Sequence, residues 1–310
     1  MKGKCVGDVR QINILYIGGY GRSGSTILEK ILTSHPKITG GGEIFRMAEI
    51  FSDHLAQCTC GELLKNCPVW GEVRIAAAKE ALRYGGFAEL HATLMRVDGR
   101  TNKNQKHNAM DLDVWLRINR IAFKVLHSEK PAAIWIVDSS KTARGAARRP
   151  LRLIDHGADV HFIEMRRSLN SVLGSVSKGS NRAIEGGKNI NPDHVSKTKQ
   201  WLRAYAGWVM ANAAAETITQ KIDDHALGLK FEDLTANPDV QLERITNWLG
   251  LSFNPDWEAK MIETPRHMIG GNRNRFNQES VHRTTQPYKG DAIGDIGLGV
   301  VRQLARLGVI

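Results

Sequence analysis

The chain has 310 residues, 42% of them hydrophobic, and carries 43 Lys and Arg against 32 Asp and Glu, a formal charge of +11. That much apolar sequence supports a sizeable core, and the basic excess calls for an anionic partner: a phosphorylated cofactor, a nucleic acid, an acidic membrane or a sulfated polymer. No stretch approaches the roughly 18 apolar residues of a membrane span, and four cysteines are too few for a disulfide scaffold, so a soluble chain in a reducing, cytoplasmic compartment is expected.

Residues 1–10 are polar, and the apolar run from Ile12 is broken at Gly18 and Gly19, which suits neither a signal peptide nor a spanning helix. Residues 12–17 read as a buried strand, followed by a glycine-rich turn through Gly24 and a helix over 25–34 stopped by Pro36. The irregular stretch 44–131 holds three of the cysteines and the polar run 98–108. It reads as a mostly helical insertion, about 45–130, lying over the carboxyl edge of a sheet, where open α/β sheets bind ligands. Further strands are expected at 132–137, 160–165 and 227–231, with helices at 192–222 and 238–249. This alternation specifies an α/β fold: a parallel sheet of the P-loop type flanked by helices. No repeat, proline-rich linker or low-complexity segment divides it, so 1–310 reads as a single domain.

The segment Gly19-Tyr20-Gly21-Arg22-Ser23-Gly24-Ser25-Thr26 has the G-x-x-x-x-G spacing of a phosphate-binding loop between a strand and a helix. Glycines let successive N–H groups converge on one anion, and the helix N-terminus adds its positive dipole end. The lysine that contacts β and γ phosphates in nucleotide hydrolases is replaced by Ser25, and a cation stands instead at Arg22. This disfavours a kinase or ATPase. The basic residues are spread without a block of five and no nucleic-acid module is present, so a non-catalytic RNA-binding protein rests on net charge alone.

Arg22-Ser23-Gly24-Ser25-Thr26, Leu32, His35-Pro36, Gly42-Glu43 and Arg46 together resemble the first cofactor motif of sulfotransferases, nearest the branch of tyrosylprotein sulfotransferases and bacterial carbohydrate enzymes. The resemblance implies 3′-phosphoadenosine 5′-phosphosulfate as co-substrate, its 5′ end held by Gly21, Arg22, Ser23, Gly24, Ser25 and Thr26. It implies transfer of the sulfuryl group to a hydroxyl of a carbohydrate or other small molecule, with a protein tyrosine as the other option. The family reads the 3′-phosphate with a strand-end arginine and a serine eight residues on. Arg167 and Ser175 match, although Ser168-Leu169 replaces the usual Asp-Pro and Arg166 is a second candidate. Residues 229–234 resemble the family's strand–acidic–leucine turn, read as structural. Residues 267–275 resemble the loop that closes over the phosphate and add Gly271, Arg273 and Arg275.

Glu43 stands where tyrosylprotein sulfotransferases have their general base, and Lys141, in Asp138-Ser139-Ser140-Lys141-Thr142, resembles a strand-end lysine that stabilises charge during transfer. In-line sulfuryl transfer asks chiefly for positioning and cations. Arg22 and Lys141 would supply the cations, so the reaction as read needs no metal. The plainer reading of Glu43 is a salt bridge to Arg46 or Arg22, which would leave His35, His54 or His282 as base. His54, Cys58, Cys60 and Cys67 have the makings of a zinc site, but Cys-x-Cys is not a usual finger spacing, which favours buried thiols or a local disulfide. Trp201, Tyr205 and Trp208 lie at helical spacing and read as core.

Overall fold

A computed structural model of the chain describes residues 13–52, 56–99, 107–177 and 197–276. The strands are β1 (Asn13–Gly18), β2 (Ile38–Gly40), β3 (Trp135–Asp138), β4 (Asp159–Arg166) and β5 (Ala226–Lys230). They form one parallel sheet in the order β2-β3-β1-β4-β5. Helices follow in chain order: α1 (Ser25–Leu32), α2 (Pro68–Ala76), α3 (Ala78–Arg83), α4 (Phe87–Val97), α5 (Ala109–Glu129), α6 (Arg149–Asp155), α7 (Leu169–Ser177), α8 (Lys197–Ile222), α9 (Phe231–Ala236), α10 (Pro238–Trp248) and α11 (Trp257–Glu263).

Side chains alternate across a strand with period two, so β1 feeds two cores. Ile14 and Tyr16 join Ile136, Val160 and Phe162 on one face, clustered with Trp70 of α2, Leu94 of α4, Trp115 and Phe123 of α5, and Ile218 of α8. Leu15 and Ile17 join Val137, Ile163, Met165 and Leu229 on the other, with Leu28, Ile31 and Leu32 of α1 and the apolar sides of α9, α10 and α11. The i, i+3, i+4 stripe of α1 is what a helix needs to lie on a sheet, and each such side chain contributes roughly 1.5–3 kcal/mol on burial.

The structure differs from expectation in several places. Ile38–Gly40 forms a strand of its own, so the strand before Lys141 is the third and not the second. That strand starts at Trp135 because Ala133 N donates to Lys130 O at 2.9 Å and closes a turn just before it. β5 stops at Lys230 because Phe231 opens α9. The helices of the insertion pack their apolar stripes on the face of the sheet that carries Ile14 and Tyr16. Asp98, read as part of a polar loop, is buried and accepts from Trp115 Nε1 at 2.9 Å. Among the described residues no helix is long and apolar enough to cross a membrane.

Candidate active site

The phosphate loop lies between the end of β1 and the start of α1, and its glycines have steric causes. At Gly19 (φ 100°) an added Cβ would stand 2.1 Å from Met165 O of β4, and at Gly24 (φ 95°) it would stand 2.2 Å from the Phe231 ring. Arg22 is left-handed at φ 71° without being glycine, a conformation costing of order 1–3 kcal/mol that clusters at functional sites. Its carbonyl accepts from Arg167 Nη1 at 2.9 Å. Gly24, the N-cap of α1, offers no side-chain acceptor to the first turn. Ser23 is 1% exposed and its Oγ has no hydrogen-bond partner. An unmet buried hydroxyl and an uncapped helix start suit an anion.

The chain after β3 is tied to this loop. Gly19 N donates to Thr142 Oγ1 at 3.0 Å and Thr142 N to Gly19 O at 3.1 Å. Lys141, also left-handed at φ 68°, has its N–H on Ile17 O at 3.1 Å and its carbonyl on Tyr16 OH at 2.6 Å. A buried network underlies the turn. Arg149, fully buried, donates from Nε to Asp138 Oδ2 at 2.7 Å and from Nη2 to Asn119 Oδ1 at 2.5 Å, and faces Asp98 Oδ1 at 3.7 Å. Asp138 Oδ1 accepts from Ser140 N and Ser140 Oγ, and Ser140 Oγ accepts in turn from Phe45 N at 2.8 Å. Asp138 thereby fixes the Lys141 turn and the chain beside Glu43.

Lys141 Nζ donates to Glu43 Oε1, with the two side chains 12% and 18% exposed. Burial pushes the Glu43 carboxyl up, but the charge and hydrogen bond of Lys141, then Arg46 and the Gly271 N–H, outweigh it and hold the group below its ordinary value. Glu43 is therefore ion-paired with Lys141, a partner that its plainer reading did not name; Arg46, bound to Glu49 at 2.7 Å, adds its field. The backbone is clamped as well. Glu43 N donates to Ile269 O at 2.7 Å, and Gly42 N donates to Glu29 Oε1 at 2.7 Å. Burial raises Glu29, a fully buried residue of α1, to about 7, against hydrogen bonds from Ser139 and Gly42 that lower it.

Arg166 and Arg167 separate clearly. Arg166 shares a strand face with Glu164 and is paired to it at 2.6 Å. Arg167 instead reaches Arg22 O, lies over the Phe231 ring at 4.2 Å from its centroid, and keeps a buried Nε without a partner. Trp208 Nε1 donates to Arg167 O at 3.1 Å, and Glu232 Oε1 accepts from Ser168 N at 3.0 Å. Ser175 is half-buried on α7. In the last loop, Asn272 N donates to Thr26 Oγ1 at 3.3 Å, which brings Gly271 (φ 86°) to the start of α1. Arg275 is buried and donates to Gly271 O at 3.3 Å. The Arg273 side chain, His54 and His282 lie outside the described residues. His35 has both ring nitrogens engaged, with Ser252 O and Lys37 N at 3.1 Å each, past the far end of α1 from the loop.

A family model described as "Sulfotransferase family" matches residues 15–255. The chain belongs to the sulfotransferase family. A solved structure described as the sulfotransferase domain from the curacin biosynthetic pathway shares 16% identity at a TM-score of 0.51, over 94% of this chain and 98% of that one. Sulfotransferase STF9 from Mycobacterium avium shares 14% identity at a TM-score of 0.50, over 97% of this chain and 77% of that one. Both support the fold. A search of curated proteins gives no match. Pattern reading did not single out Glu29, which accepts from Gly42 N, or Arg149, which donates to Asp138 under the Lys141 turn, and it read Trp208, whose Nε1 donates to Arg167 O, only as core.

Proposed function

We propose that this sulfotransferase binds 3′-phosphoadenosine 5′-phosphosulfate and passes its sulfuryl group in line to an acceptor hydroxyl, a carbohydrate or other small molecule before a protein tyrosine. The observation that carries the proposal is the Lys141–Glu43 pair tied through Gly19 and Thr142 to the phosphate loop. The unmet Ser23 Oγ and Arg167 Nε suit two separate phosphate positions.

When bound, the co-substrate supplies the activated sulfuryl group. Gly21 to Thr26 would hold its 5′ end, and Arg167 with Ser175, assisted by Gly271, Arg273 and Arg275, its 3′-phosphate. Arg22 and Lys141 would stabilise charge in the leaving direction, a contribution of the size of an oxyanion donor, about 2.7–4 kcal/mol each. Glu43 is ionised in the free protein and so is ready to accept the acceptor's proton. Any anion that draws Lys141 away lifts the field on the carboxylate and raises its affinity for that proton. Asp138, Ser140 and Glu29 act as positioning residues. The reaction needs no metal in this reading.

The missing loop lysine and the cation at Arg167 favour this account over a nucleotide kinase, and net charge alone supports RNA binding. A single 1–310 domain in the cytoplasm fits the account, and the free thiols of Cys58, Cys60 and Cys67 suit a reducing compartment. A panel of saccharides, phenols and tyrosine peptides offered with the phosphosulfate and scored for sulfated product tests it. Transfer to at least one hydroxyl class is expected. Phosphoryl transfer from ATP in the same panel would favour the kinase.

A further inference from the structure

Four metal-ligand side chains meet where the sequence suggested another set. Cys58, Cys60, Cys67 and His267 bring their ligand atoms within 4.8 Å of one another. The His267 Nδ1 lies 3.2 Å from Cys67 Sγ and 3.8 Å from Cys58 Sγ. A tetrahedral ion with bonds of about 2.0–2.3 Å to nitrogen and sulfur separates its ligands by close to these distances. The three sulfurs are free thiols.

The surroundings are built for the same purpose. Residues 56–64 form a tight hairpin, Leu64 N on Ala56 O and Cys58 N on Glu62 O at 2.9 Å each, turned at Gly61 (φ 92°). That turn presents Cys58 and Cys60 together. Cys67 is the N-cap of α2, where Trp70 N donates to its sulfur at 3.5 Å. The other ring nitrogen of His267, Nε2, has Glu129 Oε1 3.8 Å away, beyond hydrogen-bond reach but on the side from which a carboxylate orients a metal-bound imidazole. Trp70 Nε1 donates to His267 O at 2.7 Å, and Met268 N donates to Thr59 Oγ1 at 2.9 Å. Cys60 is exposed, which leaves a way in for an ion.

We propose that Cys58, Cys60, Cys67 and His267 bind one zinc ion as a closed structural site. Three thiolates and one imidazole are the donor set that zinc prefers, and four protein ligands leave no open position for catalysis. The thiols give up their protons as the ion binds. The ion would fasten the 56–64 hairpin and the start of α2 to the segment whose Ile269 holds Glu43 N at 2.7 Å and whose Gly271 adjoins Thr26. It would thus brace the Glu43 turn from outside.

The full-length protein, reduced and freed of metal, is titrated with cobalt(II) and then zinc(II), and the protein as purified is assayed for metal. Expected are one tightly held zinc per chain and, with cobalt, the d–d and sulfur-to-metal bands of a tetrahedral thiolate site. Cys60→Ser, at an exposed position, should fold but lose those bands or shift them. Glu129→Gln should weaken zinc against a chromophoric chelator by roughly tenfold or more, while Cys5→Ser should bind as the parent does. Absence of thiolate–cobalt bands in a folded, fully reduced protein would overturn the proposal, as would bands that survive in Cys60→Ser unchanged. Neither result depends on transfer activity.

Discussion

Replacing Glu43 by Gln keeps the side chain's shape and removes its charge, and the pairing with Lys141 makes two opposite effects follow. Turnover should fall by roughly 10²–10⁴, the usual contribution of a positioned base. Affinity for adenosine 3′,5′-bisphosphate should rise, because the ammonium is no longer neutralised by a carboxylate beside it. Two unit charges about 4 Å apart interact by about 4 kcal/mol at an effective dielectric of 20. With the side chains 12% and 18% exposed, solvent and salt leave about a quarter to a half of that for an incoming anion. The expected gain is about 1–2 kcal/mol, or about five- to thirtyfold in Kd. Titration calorimetry with the bisphosphate, run beside turnover on the acceptor found in the hydroxyl panel, reads both. A Glu43→Gln enzyme with near-parent turnover and unaltered or weaker affinity refutes the paired-base reasoning.

Arg167→Ala should weaken the bisphosphate by the about 1.5–3 kcal/mol of a charge-assisted contact and abolish its advantage over adenosine 5′-monophosphate, whereas Arg22→Ala should weaken both nucleotides alike; calorimetry with the two ligands checks each. Arg149→Met should strand the buried Asp138 and Asp98 and lower stability by about 3–5 kcal/mol, seen as a smaller urea midpoint. Glu29 favours its protonated form in the fold, so its contribution is fully present below 4.5 and disappears as pH rises through about 7. Glu29→Gln removes that dependence, and the variant should gain roughly 3 kcal/mol on the parent between these limits, measured by denaturation at a series of pH values; parallel curves would count against the raised carboxyl.

The phosphate loop and the alternation of strands and helices were legible because they rest on local rules: glycine spacing, period-two and period-3.6 apolarity, and the punctuation of Pro36. What escaped was long-range. Glu43 and Lys141 could each be picked out, but their pairing joins residues 98 apart in sequence, and nothing local predicts it. The strand pattern does distinguish Arg166 from Arg167, since Glu164 and Arg166 share a face two residues apart while Arg167 turns the other way. The cysteine cluster drew attention to His54 as the neighbouring ligand, whereas the imidazole beside the sulfurs is His267, 200 residues beyond Cys67. The insertion's place over a face of the sheet depended on which side of β1 its apolar stripes would find, and both sides of β1 are apolar.

On the proposed reading, the loop and arginines meet both the 5′- and the 3′-phosphate of a nucleotide and so must discriminate between nucleotides that differ in those groups. Titration calorimetry of the full-length protein against adenosine 3′,5′-bisphosphate and against ATP with magnesium measures that discrimination. The bisphosphate is expected to bind at least roughly tenfold more tightly, a difference of about 1.4 kcal/mol, and Arg167→Ala to erase most of the difference. Equal or tighter binding of ATP with magnesium would contradict the two-phosphate reading and return the loop to the kinases.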